Sequence, residues 1–67
     1  MDIFVLANNI CKFSKEQNIT VERLAEALNK SPRQVNRYRN GQCKNISVVT
    51  LTKMANIFNV SVSELIS

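Results

Sequence analysis

Histidine is absent from this chain, and glycine and proline occur once each. With so few turn-forming residues, the sequence does not suit a β fold, which needs many tight turns. No apolar run approaches the roughly 18 residues that would span a membrane. The first residues also lack the basic flank and the small-residue cleavage site of a signal peptide. These absences leave a helical protein as the expected fold class.

Cysteine is scarce as well. Cys11 and Cys43 do not have the spacing of a metal-binding motif, and there is no histidine to complete one. In a chain without a signal peptide, two cysteines are expected to be reduced thiols of a cytoplasmic protein, with a disulfide as the alternative. No candidate base in the sequence would activate Cys11 as a nucleophile.

Acidic side chains are too few and too scattered to indicate catalysis. A domain of this size also has little room for a water-excluding cleft, and no glycine-rich phosphate loop is present. We therefore expect neither an enzyme nor a bound cofactor. The chain's acids are Asp2, Glu16, Glu22, Glu26 and Glu64.

The apolar residues, 45% of the 67, are numerous enough for one small helical domain that spans residues 1–67. Five times along the chain, a capping residue precedes apolar residues spaced three or four apart, which predicts five short helices. The caps are Asp2, Thr20, Ser31, Ser47 and Ser61. The predicted helices span about 2–17, 21–28, 32–40, 48–58 and 62–66.

The predicted helix ends fall on residues that tolerate a left-handed backbone, namely Asn18, Asn29, Asn59 and Gly41. The fourth helix is expected to bury one side. That side comprises Val48, Leu51, Met54, Ala55 and either Ile57 or Phe58.

Residues 20–41, TVERLAEALNKSPRQVNRYRNG, carry the organising feature of the chain. Leu24 and Leu28 form an apolar stripe on the second predicted helix, with small Ala25 beside them where a crossing helix could approach closely. Val35 and Tyr38 form the inward stripe of the third helix. Its other side is polar or basic. The residues expected to share its exposed face are Pro32, Arg33, Asn36, Arg37 and Asn40.

Positive charge is concentrated in the same part of the chain. The net charge is +4, and residues 27–63 contain six basic side chains and no acid. A run of charge is usually just a solvated face. Here it coincides with the exposed side of a capped helix and the loop that follows. The expected partner is therefore nucleic acid.

With these residues in place, the chain resembles the lambda-repressor-like helix-turn-helix domains, the Cro/CI-type or XRE family. The resemblance covers nearly the whole sequence. It rests on LAEAL at 24–28, SPRQV at 31–35, RNG at 39–41 and TLTKMANIFNVSVSELI at 50–66. It implies an all-α fold of five helices with helices two and three as the helix-turn-helix. It further implies transcription regulation, in the role of a repressor, with helix three in the major groove of double-stranded DNA.

The resemblance also assigns positions at the interface. Base-reading positions fall on Pro32, Arg33, Asn36 and Arg37. Phosphate-holding positions fall on Thr20, Val21, Gln34, Asn40 and the loop from Gln42 to Lys44. From their charge, Lys30, Arg39 and Lys44 are expected to add affinity for phosphates without regard to sequence.

Several positions depart from the family pattern. Val21 stands where a glutamine is common, so its phosphate contact is expected to come from the backbone N–H. Pro32 cannot donate a hydrogen bond and can meet at most a thymine methyl group, which shifts base reading toward the arginines. Arg39 stands where an acid often pairs with an arginine of helix one, and that helix-one position is Ser14. Arg39 then either finds another acid or adds to the DNA-facing charge.

A homodimer is expected, because one helix-turn-helix unit grips only one half-site. The expected surface is the region of helix five, with Phe58, Val60, Val62 and Ile66; the alternative is that these residues only close the core. The second function considered is a protein-interaction module of the same fold, antitoxin-like or an anchoring subunit, that binds an acidic partner.

Overall fold

A computed structural model describes residues 2–43 and 45–67 of the chain. Within those residues the backbone forms five helices and no β-strand, which confirms the predicted all-α fold. The third helix ends at Arg39, just before the predicted end at Asn40. None of these helices is long and apolar enough to cross a lipid bilayer. The helices are α1 (Ile3–Gln17), α2 (Val21–Leu28), α3 (Pro32–Arg39), α4 (Val48–Phe58) and α5 (Val62–Ile66).

Each helix begins at the capping residue that the sequence indicates. The side chain of that residue accepts a hydrogen bond from an N–H of the first turn, which otherwise has no partner within the helix. In α5 the cap is reciprocal, since Ser61 Oγ accepts from Glu64 N at 3.0 Å and Glu64 Oε1 accepts from Ser61 N at 3.3 Å. The five caps are Asp2, Thr20, Ser31, Ser47 and Ser61.

The ends of the helices are likewise determined by residues at the ends themselves. Asn18, Asn29 and Asn59 end α1, α2 and α4 with φ of 55°, 57° and 58°. Asparagine adopts this left-handed backbone more readily than most residues. Gly41 has φ of 70° after α3, and a Cβ atom there would lie 2.9 Å from Phe4 Cδ1. The left-handed angle favours glycine there, and a side chain at this position would also displace the exposed ring of Phe4.

The core lies where α1 and α4 meet the helix-turn-helix pair. Helix α1 packs against α3, α4 and α5, and α2 packs against α3 and α4. The largest side chains that are almost fully buried come from every helix: Phe58, Leu6, Ile10, Leu24, Met54, Leu65 and Val35. Ala25 is 2% exposed, consistent with the predicted close approach of a neighbouring helix at that small residue.

Side-chain amides of α1 hold the last two helices in place. Asn9 Nδ2 donates to Leu65 O at 2.8 Å and to Ser67 O at 3.1 Å, and Gln17 Nε2 donates to Phe58 O at 2.7 Å. These bonds satisfy carbonyl groups at helix ends that have no partner within their own helix. The orientation of α4 and α5 is thus set by polar contacts as well as by the core.

Val48 was predicted on the buried side of α4, and this is wrong, because its side chain is 75% exposed. As the first residue of the helix it lies beyond the neighbouring helices, and the inward stripe begins further along. Thr50 is buried instead, at 7% exposure. Its Oγ1 and Ser47 Oγ lie 2.9 Å apart and share a hydrogen bond, which offsets the loss of water around a buried hydroxyl.

Phe58 was predicted to contribute to a dimer surface, and this is also wrong. Its side chain is 1% exposed, and its ring centroid lies 5.8 Å from that of Phe13. Position 58 continues the inward spacing of Leu51, Met54 and Ala55, so the ring points into the core. The other residues of that predicted surface, Val60, Val62 and Ile66, are half-buried and pack against the same core.

Titration of Tyr38 makes the stability of the fold depend on pH in the alkaline range. Burial raises the pKa of the Tyr38 phenol above its ordinary value of 10.0, and the nearby Cys43 thiol raises it further. The folded state therefore keeps the phenol protonated at a pH at which the unfolded chain releases the proton. The free energy of unfolding should accordingly fall as pH rises above 10.0.

Tyr38→Phe should reduce this loss of stability, because phenylalanine keeps the ring and removes the titrating group. Urea unfolding of both proteins at about pH 9 and about pH 11 measures the effect, with lysine titration as the background that both share. The wild-type protein should lose more stability over this interval than the variant. Equal losses would contradict the burial argument.

Candidate nucleic-acid interface

Helix α3 presents one face to the core and the other to solvent. Val35 is fully buried and Tyr38 is 3% exposed, so these two side chains anchor the helix. Ser31 Oγ accepts from Gln34 N at 3.2 Å, and Pro32 follows at the first helical position, which fixes where the helix begins. The outward side chains are all exposed: Pro32, Arg33, Gln34, Asn36, Arg37 and Asn40.

The two arginines on this face lie one helical turn apart. Arg33 and Arg37 are therefore separated by roughly 6 Å along the axis and project in similar directions. A shallow depression of about 400 Å³ lies beside them and is lined by Ser31, Arg33, Gln34 and Arg37. Helix α3 contains no carboxylate, so no acid of its own helix neutralises these guanidinium groups.

A broader depression, of about 570 Å³, lies on the outer side of α2. It is lined by Glu22, Arg23, Glu26 and Ala27, so two carboxylates accompany one guanidinium. A polyanion would be repelled by the carboxylates at this position. We therefore place the candidate interface on α3 despite the larger volume beside α2.

Asn36 has a neighbour on its own helix. Arg39 Nη1 donates to Asn36 Oδ1 at 3.4 Å, which is long for a hydrogen bond and therefore weak. Asn36 itself is exposed. Its amide group can thus exchange this bond for one to a ligand at little cost.

The positions expected to hold phosphate are spread around this face. Thr20 is exposed and caps α2, where its Oγ1 accepts from Arg23 N at 3.1 Å, and Val21 next to it is half-buried. The remaining N–H groups of that first turn have no partner within the helix and give its start a partial positive charge. Lys30 is half-buried, whereas Gln34, Asn40 and Gln42 are exposed. Lys44 lies outside the described residues.

Arg39 does not share the exposed face of Arg33 and Arg37. It is half-buried and lines an open notch of about 350 Å³ between α1 and the beginning of α2. The peptide oxygen of Arg39 accepts a weak hydrogen bond from the Cys11 thiol at 3.7 Å. The notch is lined by Cys11, Ser14, Lys15, Ile19, Thr20, Val21 and Arg39.

Four residues of this notch were not singled out by sequence reasoning as site residues: Cys11, Ser14, Lys15 and Ile19. Ser14 could have been identified, because it continues the four-residue spacing of Leu6 and Ile10 and so falls on the buried side of α1. Lys15 and Cys11 carry no such pattern. Their place at the notch depends on how α1 packs against α3.

Metal-ligand residues are not brought together in the part of the chain that the structure describes. No three side chains of histidine, cysteine, aspartate or glutamate lie close enough to one another to hold an ion. Both cysteines are half-buried and unpaired there, with Cys43 Sγ 3.1 Å from Asn45 O.

The chain matches a protein-family model. A family model described as "Helix-turn-helix" matches residues 14–65, which extends from the middle of α1 into α5. The matched segment therefore includes the capped pair α2 and α3 together with the helices that support it. A search of curated proteins by sequence gives no match.

Two solved structures have a similar fold. The clp gene regulator ClgR from Corynebacterium glutamicum superposes with a TM-score of 0.88 at 23% identity, covering 97% of this chain and 68% of that one. The FeII HppE structure superposes with a TM-score of 0.91 at 18% identity, covering all of this chain and 35% of the other. At these identities the likeness concerns the fold alone.

Proposed function

Because this chain belongs to the XRE-type helix-turn-helix family of DNA-binding domains, we propose that it recognises a specific double-stranded operator and acts as a repressor. In this proposal α3 lies in the major groove and α2 crosses the DNA backbone. The observation that carries it is the exposed face of α3, where Arg33 and Arg37 project together without a carboxylate on their helix. A domain bound to the operator would block other proteins from binding the same DNA. We propose that this binding takes place in the cytoplasm.

Base reading is proposed for four side chains of α3. The forked guanidinium groups of Arg33 and Arg37 match the O6 and N7 acceptors of guanine, and a bidentate contact of this kind discriminates by about 1–3 kcal/mol. Asn36 can pair with the N6 and N7 groups of adenine once its weak bond to Arg39 is exchanged. Pro32 has no donor and offers only its ring to a thymine methyl group.

Phosphate contacts would position the helix in the groove. The N–H groups at the start of α2, beside Thr20 and Val21, are suited to an anion. Gln34, Asn40 and Gln42 are exposed around α3 and can donate to backbone oxygens. The charges assigned to this role are Lys30, Arg39 and Lys44, with Lys44 proposed from the sequence alone.

A protein-interaction module of the same fold, antitoxin-like or an anchoring subunit, is the second candidate. It is favoured by the exposed valines Val48 and Val49, at 75% and 64% exposure, since a pair of apolar side chains at the surface suits a protein partner. Binding of random duplex DNA that weakens steeply as salt rises would argue for the DNA-binding role instead.

Arg37→Ala and Lys30→Ala should weaken operator binding in different ways. Arg37→Ala should lose about 1–3 kcal/mol on the preferred operator and little on random DNA, because it removes a base contact. Lys30→Ala should lower the affinity for both DNAs alike. It should also reduce the slope of log affinity against log salt by the equivalent of about one phosphate contact. Fluorescence anisotropy with an operator selected from a random duplex library, at several salt concentrations, measures both.

Lys53→Ala is the matched control, since Lys53 is an exposed lysine on α4, away from α3. It should leave both affinities nearly unchanged. If Arg37→Ala weakened operator and random DNA equally, the base-reading role of that residue would be wrong.

We further propose a homodimer, formed through the α5 region by Val60, Val62 and Ile66, without the buried Phe58. These three side chains are half-buried, so each keeps apolar surface that a second copy could cover. In a symmetric complex the two α3 helices would enter major grooves about 34 Å apart.

Sedimentation velocity tests the dimer, with and without a duplex that carries two half-sites. Two copies should bind each duplex, and Val62→Glu should weaken this pairing because it would bury a charge. Ser63→Glu, at the neighbouring exposed position, should not. Circular dichroism checks that both variants are folded. A single copy bound per duplex at saturating protein concentration would contradict the proposed dimer.

A further inference from the structure

Arg39 stands between the notch beside α1 and the exposed face of α3. The side chain is half-buried, and its Nε atom is enclosed by the surrounding protein. The inner part of the side chain is therefore confined by packing, while its charged end extends outward. That end reaches the α3 face, where Nη1 donates to Asn36 Oδ1 at 3.4 Å. A confined arginine thus contacts a side chain proposed to read a base.

The chemistry of the two groups fixes which end of the Asn36 amide is held. A guanidinium offers N–H donors and no acceptor, so Arg39 can pair with the oxygen of the amide and not with its nitrogen. The two residues are three positions apart, which makes them neighbours on the surface of a helix. The amide is thus oriented with Oδ1 toward Arg39, and its Nδ2–H donors remain available to a ligand.

Adenine needs both ends of an asparagine amide. In the major groove its N6 group donates to the amide oxygen while the amide nitrogen donates to N7. Guanine presents the acceptors O6 and N7, and thymine presents O4, so the amide nitrogen alone can meet either base. Adenine therefore competes with Arg39 for Asn36 Oδ1, whereas guanine and thymine do not.

The charge of Arg39 matters more in this competition than the bond itself. At 3.4 Å the bond is weak and would be a small obstacle alone. Because the side chain is confined, however, the guanidinium stays beside Oδ1 when the bond is exchanged. A positive charge there opposes the approach of the N6–H donor of adenine and favours the acceptors of guanine or thymine.

We propose that Arg39 is a positioning residue that turns base reading by Asn36 away from adenine and toward the acceptors of guanine or thymine, an inference that rests on the proposed function. Arg39 contacts no base in this role and acts through the Asn36 amide. The role is separate from a phosphate contact by Arg39, because a phosphate contact carries no base preference.

Asn36→Ala locates the base pair at which this effect is measured. In a selection from a random duplex library, the position at which this variant loses its base preference is the one that Asn36 reads. Duplexes with each of the possible bases at that position are then compared by competition fluorescence anisotropy. The decisive quantity is the affinity for the adenine duplex relative to the guanine and thymine duplexes.

Arg39→Met keeps a long apolar stem and removes the charge and the donors. It should weaken binding of all the duplexes together, as the loss of a positive charge does. In addition it should raise the relative affinity for adenine about fivefold, because Asn36 Oδ1 becomes free to accept. In the Asn36→Ala background the same substitution should leave the relative affinities unchanged.

Arg23→Met is the matched control, since Arg23 is an exposed arginine on the outer side of α2. It removes the same charge and should leave the relative affinities unchanged. Circular dichroism checks that each variant is folded.

The contact between Arg39 and Asn36 can also be tested without DNA. Order parameters from ¹⁵N relaxation of the Asn36 side-chain amide should be higher in the wild-type protein than in Arg39→Met. The side-chain amide of Asn56, an exposed residue of α4, should have the same order parameter in both proteins. Equal values for Asn36 in the two proteins would contradict the contact.

Failure of this inference and failure of the proposed function give different results. If the protein binds no duplex DNA at low salt, the proposed function is wrong and the role of Arg39 falls with it. If the protein binds its operator but Arg39→Met weakens all the duplexes equally, only the role of Arg39 is wrong. A change in relative affinity that persists in the Asn36→Ala background would overturn it too, as would an Asn36→Ala variant that keeps every base preference.

Discussion

The burial of Val35 and Tyr38 is the constraint on which the rest depends. These two side chains fix the rotation of α3 about its axis, and the Ser31 cap followed by Pro32 fixes where the helix starts. Because the rotation and the starting point of α3 are both fixed, the guanidinium groups of Arg33 and Arg37 must face solvent. The other helices act through this anchor, because α1 and α2 pack against α3, and α4 in turn supports both of them. Polar contacts from α1 to the ends of α4 and α5 help to hold these two helices in place.

The secondary structure could be predicted almost completely from the sequence, because its determinants are local. A serine, threonine or aspartate cap acts on the N–H groups that follow it within three residues, and an asparagine or glycine adopts its left-handed backbone without help from distant residues. The spacing of Leu24, Ala25 and Leu28 places these residues on one buried face of α2, and this too can be read from the helix's own sequence. The exposed face of α3 followed from Val35 and Tyr38 by the geometry of the helix.

What the sequence could not provide depends on contacts between helices. Val48 has the spacing of a core residue, but α4 begins beyond the helices that would cover it, and helical periodicity contains no information about where a neighbour ends. Phe58 has the hydrophobicity of either a core or an interface residue, and its contact with Phe13 places it in the core. Arg39 belongs to the basic run, yet it lies against α1 beside Ser14. In the family pattern an acid often stands at the position of Arg39 and an arginine at the position of Ser14. The notch that these two side chains line can be identified only when the packing of α1 against α3 is known.

Side-chain NMR of the arginines tests the central claim most directly. The Nε–H resonances of Arg33 and Arg37 should shift and become protected from exchange when the selected operator is added, because both would be desolvated in the groove. The resonance of Arg23, on the mixed-charge outer side of α2, should change little. Unchanged Arg33 and Arg37 resonances in a saturated complex, with Arg23 shifted instead, would show that α3 is not the surface that meets DNA.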